Sequence, residues 1–278
     1  GFLLGPILEE FKSKRRDLVA ELHGLYSIAL NEKGLAIPVA PLQTLVTVQG
    51  GIGTANEDKF LREYHGVDGT GWGSPFLLVP EATNVDDETR RRLATAKRDD
   101  FYLSDASPLG IPFNNLRGSS SEEKLRARIE AGKPGSPCPK KFLVSNTEFT
   151  KEPICTASRE YQTLKIEQLK TLDLPAAKLE ERIDAVTVKA CLCEDLATAA
   201  LLTNGSNGSN GTKKNSAVAI CPGPNLAYFS KICSLEEMVG HIYGRVQLLS
   251  VLDRPNMFIN ELQLYIEYLK KEIKKHFE

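Results

Sequence analysis

A β-branched apolar segment that stops at two consecutive glycines constrains the fold of this chain more than any other feature. Residues Leu42 to Gln49 predict a buried strand, and Gly50-Gly51 ends it. Asn56 to His65 carries apolar residues at helical spacing. A second short strand is predicted at Val67 to Trp72, followed by the glycine-rich segment 71–75. This order predicts a βαβ unit with parallel strands and a glycine turn after each.

Glycine turns after neighbouring parallel strands suit the binding of a phosphate group. Because glycine has no Cβ, its backbone N–H can approach an anion closely, and a helix N-terminus adds a favourable dipole. In (β/α)₈ barrels such a site lies after strands 7 and 8. We therefore predict an anion site at Gly50, Gly51, Gly53, Gly73 and Ser74. The alternative is that these glycines serve only the geometry of the turns.

These two segments resemble the last two strands of nitronate monooxygenase-like (2-nitropropane dioxygenase-like) FMN barrels. Gly50-Gly51 matches the family's strand-7 Gly-Gly, and the segment 73–77 matches its strand-8 Gly-Thr-x-Phe-Leu, with Ser74 in place of Thr. The resemblance covers about Leu45 to Ala82 and implies that the glycines and Ser74 hold the flavin phosphate. None of the four histidines lies in the family's catalytic motif, so no catalytic residue is predicted: His23, His65, His241 and His276.

The resemblance also implies a fold and a domain organisation. The fold class is α/β: residues 1–100 would be the C-terminal portion of a TIM-barrel-like (β/α)₈ fold. Residues 101–278 would form a mostly helical and irregular extension. A complete barrel needs about 250 residues, so the front half is expected to be missing or to lie on a partner subunit. A small-molecule substrate is the expected partner of such an enzyme.

Five of the six cysteines predict a metal centre in the extension: Cys138, Cys155, Cys191, Cys193 and Cys221. Neighbouring Pro and Gly residues fix turns that let thiolates converge on a metal. An iron–sulfur cluster would relay single electrons to a flavin, whereas zinc would be a structural clip. Cys233 is expected to be a buried thiol. A catalytic thiol at Cys193 is disfavoured, because Glu194 and Asp195 should raise its pKa. In the remaining alternative all six cysteines are free.

Charge and hydropathy limit the other partners. The formal net charge is -1, so no electrostatic attraction to nucleic acid is expected. No apolar run approaches the roughly 20 residues that span a bilayer, and no secretory signal precedes the cysteines. We therefore expect a cytoplasmic protein that does not enter the membrane. The Asn/Gly/Ser repeat at 204–212 predicts a flexible linker.

The remaining patterns complete the secondary structure. Helices are predicted at 7–31, 86–100, 121–131, 157–203 with a break at Pro175, 234–249 with Ser234 as N-cap, and 256–277. A short strand is predicted at Ala217 to Cys221.

Three functions remain open at this point. The first is an FMN-dependent oxidoreductase, or the C-terminal portion of one, with a Cys-ligated iron–sulfur cluster. The second is a non-catalytic zinc-binding structural or interaction module. The third is a binder of phosphate sugars or nucleotides that uses the same glycine loops.

Overall fold

The computed structural model describes residues 3–203, 217–250 and 254–277. The fold is mixed α/β, with many helices and a few short strands. The helices are α1 Leu4–Glu32, α2 Ala55–Tyr64, α3 Asp87–Thr95, α4 Ser120–Glu130, α5 Arg159–Lys170, α6 Ala176–Thr187, α7 Leu192–Thr203, α8 Leu235–Ile242 and α9 Met257–Phe277. The strands are β1 Thr47–Gln49, β2 Gly69–Gly71, β3 Phe101–Ser104 and β4 Phe113–Leu116. The predicted linker at 204–212 lies outside the described residues.

The chain divides into two compact units. The first unit consists of Gly1–Gly73 and Glu236–Glu278, and the second consists of Ser74–Leu235. The first unit is therefore discontinuous in sequence. These units do not follow the predicted boundary near residue 100, and the barrel relationship on which that boundary depends stays a proposal.

The predicted βαβ arrangement is present in the first unit. Strands β1 and β2 are parallel, and Gln49 pairs with Gly71 at their carboxyl ends. Strand β1 is shorter than predicted, since it begins at Thr47 and not at Leu42. The side chains of Leu42 and Leu45 are exposed, because a sheet of two strands offers them no surface for burial. The sheets formed by the described residues have two strands each, and they do not close a barrel.

Helix α2 follows β1 through a well-formed N-terminal cap. The Thr54 side chain accepts a hydrogen bond from the Glu57 N–H, and the Glu57 carboxylate accepts one from the Thr54 N–H. This capping box fixes where the helix starts. Its buried face packs on both strands and on the starts of α1 and α9, in a core of Leu8, Val48, Ile52, Leu61, Val67 and Met257.

The second unit contains a β-hairpin that the sequence patterns did not predict. Strands β3 and β4 are antiparallel, from the pair Phe101–Leu116 to the pair Ser104–Phe113. The Pro-, Gly-, Ser- and Asn-rich composition of this region indicated only loop, although Phe101-Tyr102-Leu103 has strand propensity. One side of the hairpin faces a small core of Ala106, Phe113, Ala190, Leu192 and Ala219.

The strand predicted at Ala217 to Cys221 is wrong. The segment is extended, but the Ala219 N–H donates to the Asp195 carbonyl and the Val218 N–H donates to the Ser120 side chain. Its apolar residues are buried against helix ends, and it joins no sheet of the described residues. A short apolar run therefore indicated burial correctly and secondary structure incorrectly.

Two helix boundaries also differ from the predictions. Helix α8 ends at Ile242, although a helix was predicted to continue to residue 249. Gly244 has a φ of 72°, and the Arg245 N–H returns to the Gly240 carbonyl, which is a glycine-terminated helix end. The predicted break at Pro175 is confirmed, and a second break separates α6 from α7. None of the described helices has the length and apolar character needed to cross a membrane.

Candidate functional site

The ends of β1 and β2 present exposed glycine amides. Gly50 and Gly51 follow β1 with φ values of 112° and 74°, and Gly73 lies two residues after β2. Because the strands are parallel and paired up to their last residues, both turns lie at one edge of the sheet. All three glycines are exposed, and no described residue accepts a hydrogen bond from their N–H groups. This edge can offer backbone donors to an anion.

Gly53, a further predicted phosphate-binding residue, is used inside the first unit. It is buried, and its N–H donates to Glu57 Oε2 at 2.8 Å. Its carbonyl is 2.9 Å from His241 Nε2. The Gly53 N–H is therefore already satisfied by a carboxylate of the protein and does not point to an external ligand.

His241 holds this turn from the far end of the sequence. Its Nδ1 accepts the Leu248 N–H at 3.3 Å, so the proton lies on Nε2, which donates to the Gly53 carbonyl. The ring is buried, and Trp72 meets it edge to face with centroids 5.9 Å apart. Sequence reasoning did not predict this role, because a contact over 188 residues has no local pattern.

A buried ion pair supports the same turn. Arg254 Nη1 is 2.7 Å from Glu57 Oε1, and Arg254 Nη2 donates to the Gly51 carbonyl at 2.7 Å. The Met257 N–H also donates to Glu57 Oε1 at 2.7 Å. The sequence analysis did not identify Glu57. The one local signal for it is its position three residues after Thr54, which is the spacing of a capping box.

Ser74 is the first residue of the second unit. Its hydroxyl accepts the Gly223 N–H at 2.7 Å. A Cβ on Gly223 would lie 2.6 Å from the same oxygen, so this contact requires glycine there. The side chain of Ser74 is thus engaged within the second unit.

Four of the five predicted metal-binding cysteines lie near one another in the second unit. The sulfur atoms of Cys191 and Cys193 are 3.9 Å apart. Cys138 and Cys155 lie close enough to influence the pKa of Cys193, and Cys138 also influences that of Cys155. Cys155 and Cys191 are buried, and the other two are partly buried. We refer to Cys138, Cys155, Cys191 and Cys193 as the cysteine cluster.

Burial and the neighbouring thiols raise the pKa values of Cys155 and Cys193. Burial raises the pKa of Cys155 to about 11, and the Cys138 and Cys191 thiols add to this effect. Burial, followed by the Cys191 thiol, raises the pKa of Cys193 to about 12, with smaller contributions from Cys138 and Cys155. The predicted direction for Cys193 is confirmed, but the predicted cause, the neighbouring carboxylates, is wrong. At neutral pH these two thiols stay protonated unless a cation stabilises the thiolates.

Backbone hydrogen bonds join two of the segments that carry the cysteine cluster. The Ser136 N–H donates to the Ala157 carbonyl at 2.9 Å, and the Arg159 N–H donates back to the Ser136 carbonyl at 2.7 Å. Gly135, with a φ of 79°, allows this approach, because a Cβ there would lie 2.6 Å from the Arg159 nitrogen. The Cys138 segment is thereby attached to the start of α5, next to Cys155.

Gln162 joins the third segment to the other two. Its side chain is fully buried, and its amide nitrogen is 3.4 Å from the Thr156 carbonyl and 3.2 Å from the Lys189 carbonyl. Thr156 follows Cys155, and Lys189 precedes Cys191 by two residues. The Gln162 side chain therefore links the backbone next to Cys155 to the backbone just before Cys191.

The remaining two cysteines are placed differently. Cys221 is exposed, and its sulfur accepts the backbone N–H of Asn114. Cys233 is buried as predicted, and its backbone N–H donates to the Leu78 carbonyl. As they stand, no three His, Cys, Asp or Glu side chains of the described residues form a group that could hold a metal ion. The predicted metal centre accordingly stays a proposal.

Comparison with known proteins adds little to this geometry. No protein-family model matches the sequence, and no curated protein matches it. A similar solved structure is the enoyl reductase domain of MlnA from the macrolactin biosynthesis cluster of Bacillus amyloliquefaciens, at 16% identity and a TM-score of 0.33. The similarity covers 94% of this chain, and this chain spans 56% of that one. A TM-score this low supports no conclusion about fold or activity.

Proposed function

We propose that this chain is the C-terminal part of an FMN-dependent oxidoreductase in which Gly50, Gly51 and Gly73 bind the flavin phosphate. The observation that carries this proposal is the set of exposed amides, without acceptors among the described residues, at the ends of two parallel strands. The resemblance of these turns to the last two strands of FMN barrels agrees with it. The substrate would be a small molecule.

The residues that support the turns suit this role, because His241 and Arg254 bind backbone carbonyls and not the N–H groups of Gly50, Gly51 and Gly73. These contacts fix the carbonyls of Gly53 and Gly51, and the N–H groups of Gly50, Gly51 and Gly73 would bind the flavin phosphate. When bound, FMN would supply the hydride and single-electron chemistry. The residues described here would only anchor and orient it.

A comparison of FMN with riboflavin tests the proposal, because the two differ only in the phosphate. We expect the chain to quench FMN fluorescence on binding and to bind riboflavin at least about tenfold more weakly. Gly51→Val should abolish this preference, since a β-branched residue at a φ of 74° distorts the turn. Gly66→Val is the matched control, because Gly66 has a φ of 66° in the same unit. Equal binding of the two flavins would contradict the phosphate site.

A second candidate function is favoured by the cysteine cluster. The second unit could be a non-catalytic zinc-binding structural or interaction module, attached to a first unit that binds no flavin. An absorption spectrum and a metal analysis of the purified chain separate the candidates. Flavin bands support the oxidoreductase, whereas a colourless protein that contains zinc and does not bind FMN supports the module.

A further inference from the structure

We propose that the cysteine cluster binds a single tetrahedral zinc ion through all four sulfur atoms, and that Cys221 and Cys233 are not ligands. This inference rests on the Cys-ligated metal centre proposed above, and it specifies the ion and its ligands. It applies both to a flavoenzyme and to a zinc module.

The spacing of the sulfur atoms favours one ion over a cluster. With Zn–S bonds of about 2.3 Å, two ligands of one tetrahedral ion lie about 3.8 Å apart. Cys191 Sγ and Cys193 Sγ are 3.9 Å apart, which matches two ligands of one tetrahedral ion. In a four-iron cluster each thiolate binds a different iron, so its ligands stand farther apart than Cys191 and Cys193 do.

The backbone around the cysteine cluster favours thiolates once an ion is present. The Ala157 N–H donates to the Cys155 sulfur; Cys191 directly precedes α7, and Cys193 is its second residue. Both N–H groups and helix N-termini stabilise a negative sulfur. Cys138 has a φ of 51°, a left-handed conformation that is uncommon outside glycine and that occurs at functional sites.

The segments that carry the four thiols are tied to one another by hydrogen bonds. The hydrogen bonds of Ser136 and Gln162 already hold the three segments together. We expect side-chain rotation within these tethered segments to bring the four sulfur atoms around one ion. Cys221 and Cys233 have different surroundings: the Cys221 sulfur accepts the Asn114 N–H, and the Cys233 N–H donates to the Leu78 carbonyl.

Metal analysis of the full chain, purified without oxygen, tests the proposal. We expect one zinc per chain, and we expect Co²⁺, added after chelation, to give the intense visible bands of a tetrahedral thiolate site. Cys193→Ser should weaken Co²⁺ binding by at least on the order of 100-fold, since it removes a ligand outright. Cys221→Ser and Cys233→Ser are the matched controls and should bind Co²⁺ like the unaltered chain.

The outcomes separate this inference from the proposed metal centre. A brown protein with about four irons and labile sulfide per chain would overturn the zinc assignment and leave a Cys-ligated centre standing. Loss of Co²⁺ binding in Cys221→Ser would overturn the choice of ligands. A chain that binds neither zinc, Co²⁺ nor iron would overturn both proposals, and the FMN–riboflavin comparison would still test the flavin site.

Discussion

Arg254 forms an ion pair with Glu57 whose two side chains are only 3% and 4% exposed. The pair connects the segment before α9 to the start of α2. Three backbone N–H groups complete the coordination of the Glu57 carboxylate, from Gly53, Thr54 and Met257. A buried charge is tolerated when it is paired and hydrogen-bonded to this extent.

Removing one charge of this pair should destabilise the first unit strongly. Glu57→Gln leaves the Arg254 guanidinium buried without a counter-charge, and we expect a loss of about 3–5 kcal/mol in the free energy of unfolding. Glu63→Gln, which alters an exposed pair with Lys59 on the same helix, should cost less than about 0.5 kcal/mol. Trp72 is the single tryptophan, so its fluorescence in urea reports this unit. Similar losses of unfolding free energy in both variants would contradict the idea that burial makes the Glu57–Arg254 pair important for stability.

Gly71 should tolerate a methyl group only if the opposite residue is shortened. A Cβ at Gly71 would lie 2.4 Å from Gln49 Cγ, so Gly71→Ala should cost about 1–3 kcal/mol through overpacking. Gln49→Ala removes the clashing atoms, and the double variant should recover most of that loss. Thermal unfolding followed by circular dichroism measures all three variants. Additive losses in the double variant would contradict this steric explanation.

The stability of the first unit should fall in mild acid because of His65. Burial lowers the pKa of His65; nearby Glu9 opposes this effect and Lys12 reinforces it. Since the folded-state pKa is below the unfolded value of about 6.5, unfolding takes up a proton. Stability is therefore full above about pH 6.5 and decreases as the pH falls through and below that value.

The contribution of His65 can be isolated by substitution. His65→Phe keeps a ring beside Phe60 and Phe258 but cannot bind a proton, so it should reduce the loss of stability between pH 7.5 and pH 5.5. Tyr64→Phe alters the neighbouring ring without removing the titration, and it should keep the full pH dependence. Urea unfolding at the two pH values gives both results. An unchanged pH dependence in His65→Phe would assign the effect to other groups.

Gln162 should act as a positioning residue for the proposed metal centre. Gln162→Leu keeps the buried volume but removes both hydrogen bonds that span the cysteine cluster. We expect Co²⁺ affinity to fall by about 10–100-fold, as for other residues that orient ligands. Gln168→Leu, on the exposed face of the same helix, should not change it. Wild-type Co²⁺ affinity and spectra in Gln162→Leu would rule out a positioning role.

Local patterns predicted much of the secondary structure. The apolar periodicity of α1, α2 and α9 is set by residues close in sequence, so these helices lie close to their predicted bounds. The parallel pairing of β1 and β2 also followed from local order, because a strand–helix–strand sequence rarely folds otherwise. The hairpin of β3 and β4 was missed, since its burial depends on α7 residues about 80 positions later.

The candidate sites also combine features that local sequence reveals with features that depend on distant residues. The glycine turns and the cysteines could be recognised in the sequence, because only glycine lacks a Cβ beside its N–H and only cysteine supplies a thiolate. Only the structure could place Cys138, Cys155, Cys191 and Cys193 together and Cys221 apart. The supporting residues, His241, Arg254 and Gln162, act across long sequence separations, and their side chains have no distinctive local spacing.

The discontinuity of the first unit has a consequence for synthesis. The turn at Gly53 is completed by His241, so the first 73 residues leave the ribosome well before the groups that finish their core. The intervening unit has all its residues available earlier and can fold while the first waits. The nascent chain therefore exposes the apolar surfaces of β1 and α2 while more than half of its length is translated. We expect chaperones to be needed most during this interval.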